Sequence, residues 1–308
     1  MLSAVLLDLL LGDPCWLPHP VVQIGRLVTA LEKMLRRFVP NERTGGVLLL
    51  VITVGVTSGL AAAILKCASA VSPYAGFAVA VYLAFTCLAA RSLHGESRLV
   101  ADALGRGDLT EARKALSRIV GRDTANLDER ETWRATVETV AENSSDGVIA
   151  PLFCLMLGGP VLALAYKAVN TLDSMVGYKN EKYLAFGWAS ARFDDLANWI
   201  PARLTGLLMV LAAPLVRLSP VRAWWIMVRD GKNHASPNSG IPEAAAAGAL
   251  GVQLGGLNWY FGKPVAKPTI GDALQPLSQE AYQGAVRLMY GAEALLVAVW
   301  LAVANIFN

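Results

Sequence analysis

The sequence predicts an all-α, polytopic membrane bundle with a cytoplasmic helical layer, and three observations carry that prediction. Charged residues fill only 17% of the 308 positions while 55% are hydrophobic, against about a quarter charged in soluble domains. No charge occurs from Thr44 to Leu65 or from Cys67 to Ala90, and each run exceeds the ~20 residues a helix needs to cross the bilayer core. Further apolar blocks at Val148–Val169, Leu204–Val216 and Ala294–Asn308 alternate with dense polar clusters. The same composition, with a net charge of only +3, excludes a disordered chain or a nucleic-acid-coating protein, since both need charge that is missing.

Taken in order, Met1–Leu11 is apolar but lacks a positive leading region, contains Asp8 and has no small-residue cleavage site. It is therefore expected to stay in place rather than act as a removable signal peptide. Residues 44–90 read as a transmembrane hairpin turning at Lys66, Ser69, Ser72 and Pro73. Arg26, Lys33, Arg36, Arg37 and Arg43 precede it, and Arg91, Arg98, Arg106, Arg113 and Lys114 follow. Because Lys and Arg in short flanks stay inside, both flanks are expected in the cytosol and the turn outside. In 91–147, Asp108-Leu-Thr-Glu111 resembles a capping box, and Ala112, Leu116, Ile119 and Val120 share one helical face. A second helix over Leu127–Glu142 turns Trp133, Val137 and Val140 inward. Its acids offset its bases, as a cytoplasmic layer requires and a nucleic-acid reader does not.

Residues 148–243 are the polar-cluster region. Gly158-Gly159-Pro160 interrupts the block Val148–Val169, and proline beside paired glycine breaks or kinks a helix. Each remaining half is about ten residues, too short to span, so a broken or re-entrant hairpin is expected. Leu204–Val216 is uncharged over 13 residues and closed by Pro214 and Arg217. Trp224 and Trp225 beside Arg222 and Arg229 suit a membrane interface. Residues 244–308 begin with a small-residue helix over Ala244–Leu257 and end in a last span reaching back toward Tyr290. The cysteines at 15, 67, 87 and 154 show no C-x-x-C spacing and read as small core residues. No internal repeat divides the chain, which is read as one membrane domain over 1–308.

Four polar clusters are the candidates for chemistry, because polar groups near a membrane are costly. Asp13-Pro14 with Pro18-His19-Pro20 also reads as a rigid, capped turn. Glu142-Asn-Ser-Ser-Asp146-Gly147 holds more acceptors than helix capping alone needs. In the third, Lys167, Asn170 and Ser174 recur on one helical face with Asp173, followed by Lys179, Lys182, Asp194, Asp195, Asn198 and Arg203. Such acids can hold Mg²⁺, which takes few protein oxygens, and such cations can hold phosphate, although a solvated charge run has the same composition. The fourth, Asp230-Gly-Lys232-Asn-His234-Ala-Ser236-Pro-Asn238-Ser239, leads into a helix whose Pro242 suits a first turn. A Ser/Asn/Gly loop feeding a helix N-terminus suits an anion; a capped helix start is the plainer reading. P-loop, dinucleotide-fold, zincin and nucleophile-elbow motifs are absent from the sequence.

In this order the clusters resemble the CbiB/CobD family of cobalamin biosynthesis. The resemblance rests on Gly12-Asp-Pro with His19-Pro-Val, Gly121-Arg-Asp-Thr, and Glu142-Asn-Ser-Ser-Asp-Gly-Val-Ile-Ala-Pro-Leu-Phe153. It continues through Asn170-Thr-Leu-Asp-Ser-Met-Val-Gly-Tyr-Lys-Asn180, Asp195 to Arg203-Leu-Thr, and Asp230-Gly-Lys-Asn-His-Ala-Ser-Pro-Asn-Ser-Gly240. The resemblance implies an integral inner-membrane enzyme that uses ATP and Mg²⁺ to join the carboxylate of adenosylcobyric acid to aminopropanol or its phosphate. The product would be adenosylcobinamide or its phosphate, made in a site facing the cytoplasm.

That reaction needs an activated carboxylate and a deprotonated amine, so acids, cations and a base must be supplied. Mg²⁺ is expected on Asp173 with Asp194 or Asp195, joined by Glu142 and Asp146. Lys179, Lys182, Arg203 and Lys232 are expected on phosphate, and the loop containing Ser236, Asn238 and Ser239 on the phosphate of the acceptor or nucleotide. His19 and His234 are the base candidates, with Asp173 and Glu142 counted in the catalytic set. Because ATP is cytoplasmic and polar clusters flank both sides of 148–169, a re-entrant path is favoured over a full span. A transporter and a non-catalytic signalling relative of the AmpE type are the competing readings; missing repeats weigh against the first and the intact acid run against the second. The apolar mass leaves room for a second copy or another enzyme of the pathway, and no nucleic-acid partner is expected.

Overall fold

A computed structural model describes the chain apart from residues 15, 261 and 308. In order it forms α1 (Leu2–Leu11), α2 (Pro20–Phe38), α3 (Glu42–Val71), α4 (Pro73–Phe85), α5 (Ala90–Gly105), α6 (Leu109–Leu116) and α7 (Glu129–Asn143). A π-helical turn, Ser144–Ile149, leads into α8 (Ala150–Val176), then α9 (Trp188–Ala197), α10 (Trp199–Ala212), α11 (Pro220–Asp230) and α12 (Gly240–Leu250). An antiparallel ribbon of β1 (Leu254–Tyr260) and β2 (Lys263–Ile270) precedes α13 (Gln279–Phe307). Among the described residues 73% are helical, and five helices are long and apolar enough to cross a membrane. The protein is a multi-pass membrane helical bundle.

Helix starts follow local chemistry. Asn41, Asp108 and Asp128 each accept a backbone N–H from the first turn of α3, α6 and α7, filling donors that a helix end leaves open. Proline follows the capping residue at α2, α4 and α11, where its missing N–H costs nothing. The hairpin of α3 and α4 turns at Ser72, so the helix runs straight through Lys66, and one lysine on an exposed surface does not stop it.

The chain packs as two compact units. The first holds residues 1–89 and 150–198. Its core joins Ile24, Val28 and Leu35 of α2, Leu49 of α3, Leu172 and Val176 of α8, and Phe186. Gly46 of α3 lets the chain at Phe186 come so close that an added Cβ would sit 1.8 Å from the Phe186 carbonyl oxygen. Within α8 the helix breaks where expected: Gly158 and Gly159 leave helical geometry, Gly159 at φ 63°. That conformation is favourable to glycine. Val51, Leu60 and Ile64 of α3 are exposed, as a lipid-facing surface would be.

The second unit holds residues 90–149 and 199–308. α12 is buried along its whole length from Pro242 to Leu250, and Gly248 allows close approach to the backbone of α11 at Arg222. The small-residue helix expected to Leu257 stops earlier, because Gly251 takes a left-handed conformation (φ 71°) and caps it. The following residues form the ribbon instead, with Gly255 (φ 79°) at an irregularity in the register. Pro264 and Pro268 stand in β2, and a two-stranded ribbon has an outer edge on each strand where proline's missing donor is tolerated. α10 begins at Trp199 and with the following turn to Val216 makes one of the five candidate spans, longer than its uncharged stretch because Arg203 lies within it. On α11, Trp224 and Trp225 are exposed while Ala223 and Ile226 are buried, the pattern of a helix with one apolar outer face. Of the cysteines, Cys87 is buried, Cys154 half-buried and Cys67 exposed, so Cys67 is not a core residue; Cys15 lies outside the described residues.

Candidate functional site

In each unit the structure brings some of the predicted site residues together. In the first unit, α8 ends at Val176 with Asp173 on its last turn, where the Gly177 N–H donates to the Asp173 carbonyl at 2.7 Å. A side chain at Gly177 would collide with the Asp173 carboxylate, its Cβ 1.9 Å from Oδ1. Asp194 sits on α9 within the field of Asp173 and Asp195. Burial first, and then the charge of Asp173, push its carboxyl up to about 7. Tyr166 donates to Asn198 Oδ1 at 2.8 Å, and Asn198 Nδ2 donates to Asp194 Oδ2 at 3.0 Å, which fixes the carboxylate plane. Oδ1 of Asp194 is buried without a donor. Asp195 is more open; burial raises its carboxyl, while Arg192 and Lys179 pull it down.

A carboxylate pair with one bare, buried oxygen suits a divalent cation. Among the described residues no three acidic, imidazole or thiol groups converge as a metal cage. Mg²⁺ here would therefore rest on Asp173 and Asp194, with waters and phosphate oxygens completing its shell, as this ion prefers. Asp195 faces Arg192, at 4.0 Å. The lysines of this cluster differ: Lys179 is exposed, whereas Lys182 lies 3.3 Å from Glu32 and donates to Tyr183 Oη at 2.6 Å. His19 caps α2, accepting the Val21 N–H on Nδ1 at 3.3 Å with Asp13 Oδ1 3.2 Å from Nε2.

In the second unit, the loop before α12 is tied down by its own side chains. The Ser236 N–H donates to His234 Nδ1 at 3.0 Å, and the Asn238 N–H donates to Ser236 Oγ at 3.2 Å. Ser239 Oγ donates to Glu142 Oε1 at 2.8 Å. Arg203 of α10 reaches the same loop, donating to Asn238 Oδ1 at 3.0 Å and stacking on Trp199. Its partners are neutral, and among the described residues it makes no salt bridge, so its charge stays available to an anion. Lys232 is exposed at the start of this loop. Asp146 is half-buried in the π-helical turn, where the helix continues through it. It therefore does not cap a new helix.

Several members of this second cluster escaped the sequence reading. His234 Nε2 lies 3.4 Å from Lys267 Nζ on β2 and 3.9 Å from Glu243 Oε1 on α12. Glu243 is buried, and burial together with the charges of Glu142 and Glu138 holds its carboxyl well above the usual range. Burial, and then Lys267, hold His234 below the usual imidazole value. Beneath them Glu138 accepts from Arg122 at 2.6 Å, from Arg134 at 2.8 Å and from the Gly255 N–H at 2.8 Å. The signal for this stack was the spacing of Arg134, Glu138 and Glu142, four residues apart and so on one face of α7. Lys267 had no such signal, because the ribbon carrying it was not anticipated.

The CobD/Cbib protein family model matches residues 1–289. Among curated proteins, the chain is 73% identical over 297 residues to cobalamin biosynthesis protein CobD of Geobacter metallireducens, covering 96% of this chain and 93% of the relative. It is 58% identical to CobD of Pelobacter propionicus over 99% of this chain and 94% of that one. Cobalamin biosynthesis protein CbiB of Salmonella typhimurium is 52% identical over 97% of this chain and 95% of its own length. No solved structure matches.

Proposed function

The chain belongs to the CobD/CbiB family of cobalamin biosynthesis proteins, and from that premise we propose that it is an ATP-dependent carbon–nitrogen ligase acting at the cytoplasmic face of the inner membrane. Its substrates are adenosylcobyric acid and aminopropanol or aminopropanol phosphate. The observation that carries this reading is the half-buried Asp194, with its buried Oδ1, beside Asp173, an acid pair suited to the divalent cation that a nucleotide triphosphate brings.

The chemistry follows from what each side needs. A carboxylate resists attack by an amine, so its oxygen first takes the γ-phosphoryl group of ATP, releasing ADP and leaving an acyl phosphate. The amine then attacks the carbonyl carbon, a C–N bond forms, the C–O bond to phosphate breaks, and inorganic phosphate leaves. Magnesium, when bound, neutralises charge on the transferring phosphoryl group. Asp173 and Asp194 hold that charge in place, with Asp195, Glu142 and Asp146 as the remaining acids of the two clusters. Lys179 and Lys232, exposed and flexible, suit phosphate oxygens as point charges; Lys182 reaches phosphate by giving up Glu32. Arg203 holds the loop of Ser236, Asn238 and Ser239 and offers it a spare positive charge.

The amine must lose a proton before attack. His234 accepts the Ser236 N–H on Nδ1, so in its neutral form the ring carries its proton on Nε2. That leaves Glu243, 3.9 Å from Nε2, as the base of this cluster, its carboxyl held above its usual range by burial and by the charges of Glu142 and Glu138. His19, engaged as a helix cap and by Asp13, is the weaker base.

The test is an end-point assay of detergent-purified protein with adenosylcobyric acid, ATP, Mg²⁺ and either amine, read by mass spectrometry. The expected result is an amide product, lost in Asp173→Ala, and the preferred amine identifies the acceptor. Folded protein that makes no product with either amine would move the reading to transport or to signalling.

A further inference from the structure

The second unit contains a cavity of about 530 Å³ between the start of α7 and the β1–β2 ribbon. None of the residues assigned above to phosphate, metal or base chemistry lines it. Its walls include Asp123, Asp128, Glu131, Arg130 and Trp259. Gly256 and Gly262 add bare backbone, with open space where a side chain would stand.

The charges on this wall select its ligand. Three carboxylates face it against two guanidinium groups; Arg134 pairs with Glu131, which leaves Asp123 and Asp128 against Arg130. One oxygen of each carboxylate is engaged, Glu131 by Arg134, Asp123 by the Gly262 N–H and Asp128 by the Glu131 N–H, and the other is left as an acceptor. The surplus of acceptors and of one negative charge disfavours a triphosphate, an amine phosphate or a free carboxylate. The volume falls in the ~300–1,000 Å³ range of sites for drug-sized ligands and is far larger than a three-carbon amino alcohol needs. A large, neutral ligand edged with N–H donors remains.

Adenosylcobyric acid has such an edge: primary carboxamides surround its macrocycle, and its free carboxylate is the group to be ligated. We infer that this cavity binds the carboxamide rim of the corrinoid, with Asp123, Asp128 and Glu131 accepting amide N–H groups and Trp259 packing on the ring edge. Carboxylate acceptors make strong hydrogen bonds to such donors. The same charges turn the one free carboxylate away from the cavity, so the wall orients the substrate as well as holding it. This inference rests on the ligase reading for the identity of the ligand.

The experiment measures corrinoid binding to the detergent-purified full chain by equilibrium dialysis. One probe is adenosylcobyric acid; the other is a cobyrinic acid, in which the amides are carboxylates. The wild type is expected to bind the amide form at least about tenfold more tightly. Asn126→Trp fills the cavity from an exposed position, and it should weaken binding of adenosylcobyric acid by about tenfold or more while the KM values for ATP and amine stay within about twofold. Arg130→Glu, at an exposed position on the wall, should weaken the carboxylate form further and leave the amide form within about twofold. Melting curves verify that both variants are folded, and the second carries the test if the first is not. Equal affinity for the two corrinoids, or variants that change neither, would overturn the inference. Selective binding without ligation would sink the ligase reading alone; ligation with an unchanged corrinoid KM in Asn126→Trp would sink the cavity alone.

Discussion

The backbone N–H of Ser236 donates to Nδ1 of His234 at 3.0 Å, and this one bond decides what the imidazole can do. Neutral His234 must carry its proton on Nε2, where Glu243 and Lys267 face it. Its pKa is lowered by burial and by Lys267. A lowered imidazole pKa gives stability that is complete above the unfolded value, ~6.5, and is lost as pH falls toward the folded value. Replacing His234 by Gln removes that dependence. The melting-temperature gap between wild type and His234→Gln should therefore narrow, by a few degrees, as the buffer moves from pH 7.5 to 5. A gap independent of pH would mean the ring is not held neutral.

Asp194 behaves in the opposite sense. Its carboxyl is raised to about 7, so its contribution is complete below the unfolded value and is lost as pH rises through 7. Asp194→Asn should melt later than wild type at pH 8 by a few degrees, and the gap should close as the pH falls toward the unfolded value of about 4. Mg²⁺ with a non-hydrolysable ATP analogue should raise the melting temperature of the wild type and leave Asp194→Asn unmoved. The same rise in both proteins would remove this carboxylate from the cation.

Glu138 joins two buried arginines and the Gly255 N–H. Removing one member of a buried charge network leaves the others uncompensated, at a cost of about 3–5 kcal/mol. Glu138→Ala should therefore lower stability by that order and expose the ribbon at 254–270 to protease, whereas Glu138→Gln should be milder. Unfolding in denaturant with parallel proteolysis measures both.

Arg203 reaches its loop as a planar fork, donating from one side to Trp199 and Asn238 and resting on the Trp199 ring. Lysine keeps the charge and loses the fork. Arg203→Lys should raise the KM for the phosphorylated substrate by about tenfold with little change in folding. Recovery of wild-type kinetics by lysine would reduce Arg203 to a point charge.

Packing gives a separate check on the first unit. Gly46→Ala places a methyl 1.8 Å from the Phe186 carbonyl oxygen, and overpacking of this kind costs about 1–3 kcal/mol. Thermal unfolding of Gly46→Ala should show that loss, while Gly55→Ala, with open space around it, should not.

Much of this was legible in the sequence for identifiable reasons. Long uncharged runs, Asp108 as a cap, and the Gly158-Gly159-Pro160 break are local signals, and each of these elements formed where its signal lay. The ribbon was not legible, because Gly255, Gly256, Pro264 and Pro268 hide its alternation and only pairing across the turn makes it a strand pair. Polar residues could be grouped along the chain, yet which groups meet is a property of packing. Asp173 lies within the field of Asp194, one of the two neighbours that the sequence offered it. Glu243 and Lys267 were not joined to His234, since Glu243 suits the helix start where it stands and no pattern in the sequence marks Lys267.

The most direct test of the account follows oxygen from the corrinoid carboxylate. Adenosylcobyric acid labelled with ¹⁸O in that carboxylate is incubated with the protein, ATP, Mg²⁺ and the preferred amine, and the released inorganic phosphate is analysed by mass spectrometry. Activation through an acyl phosphate predicts one ¹⁸O in phosphate for each amide formed. Unlabelled phosphate, or label appearing in AMP instead, would contradict it.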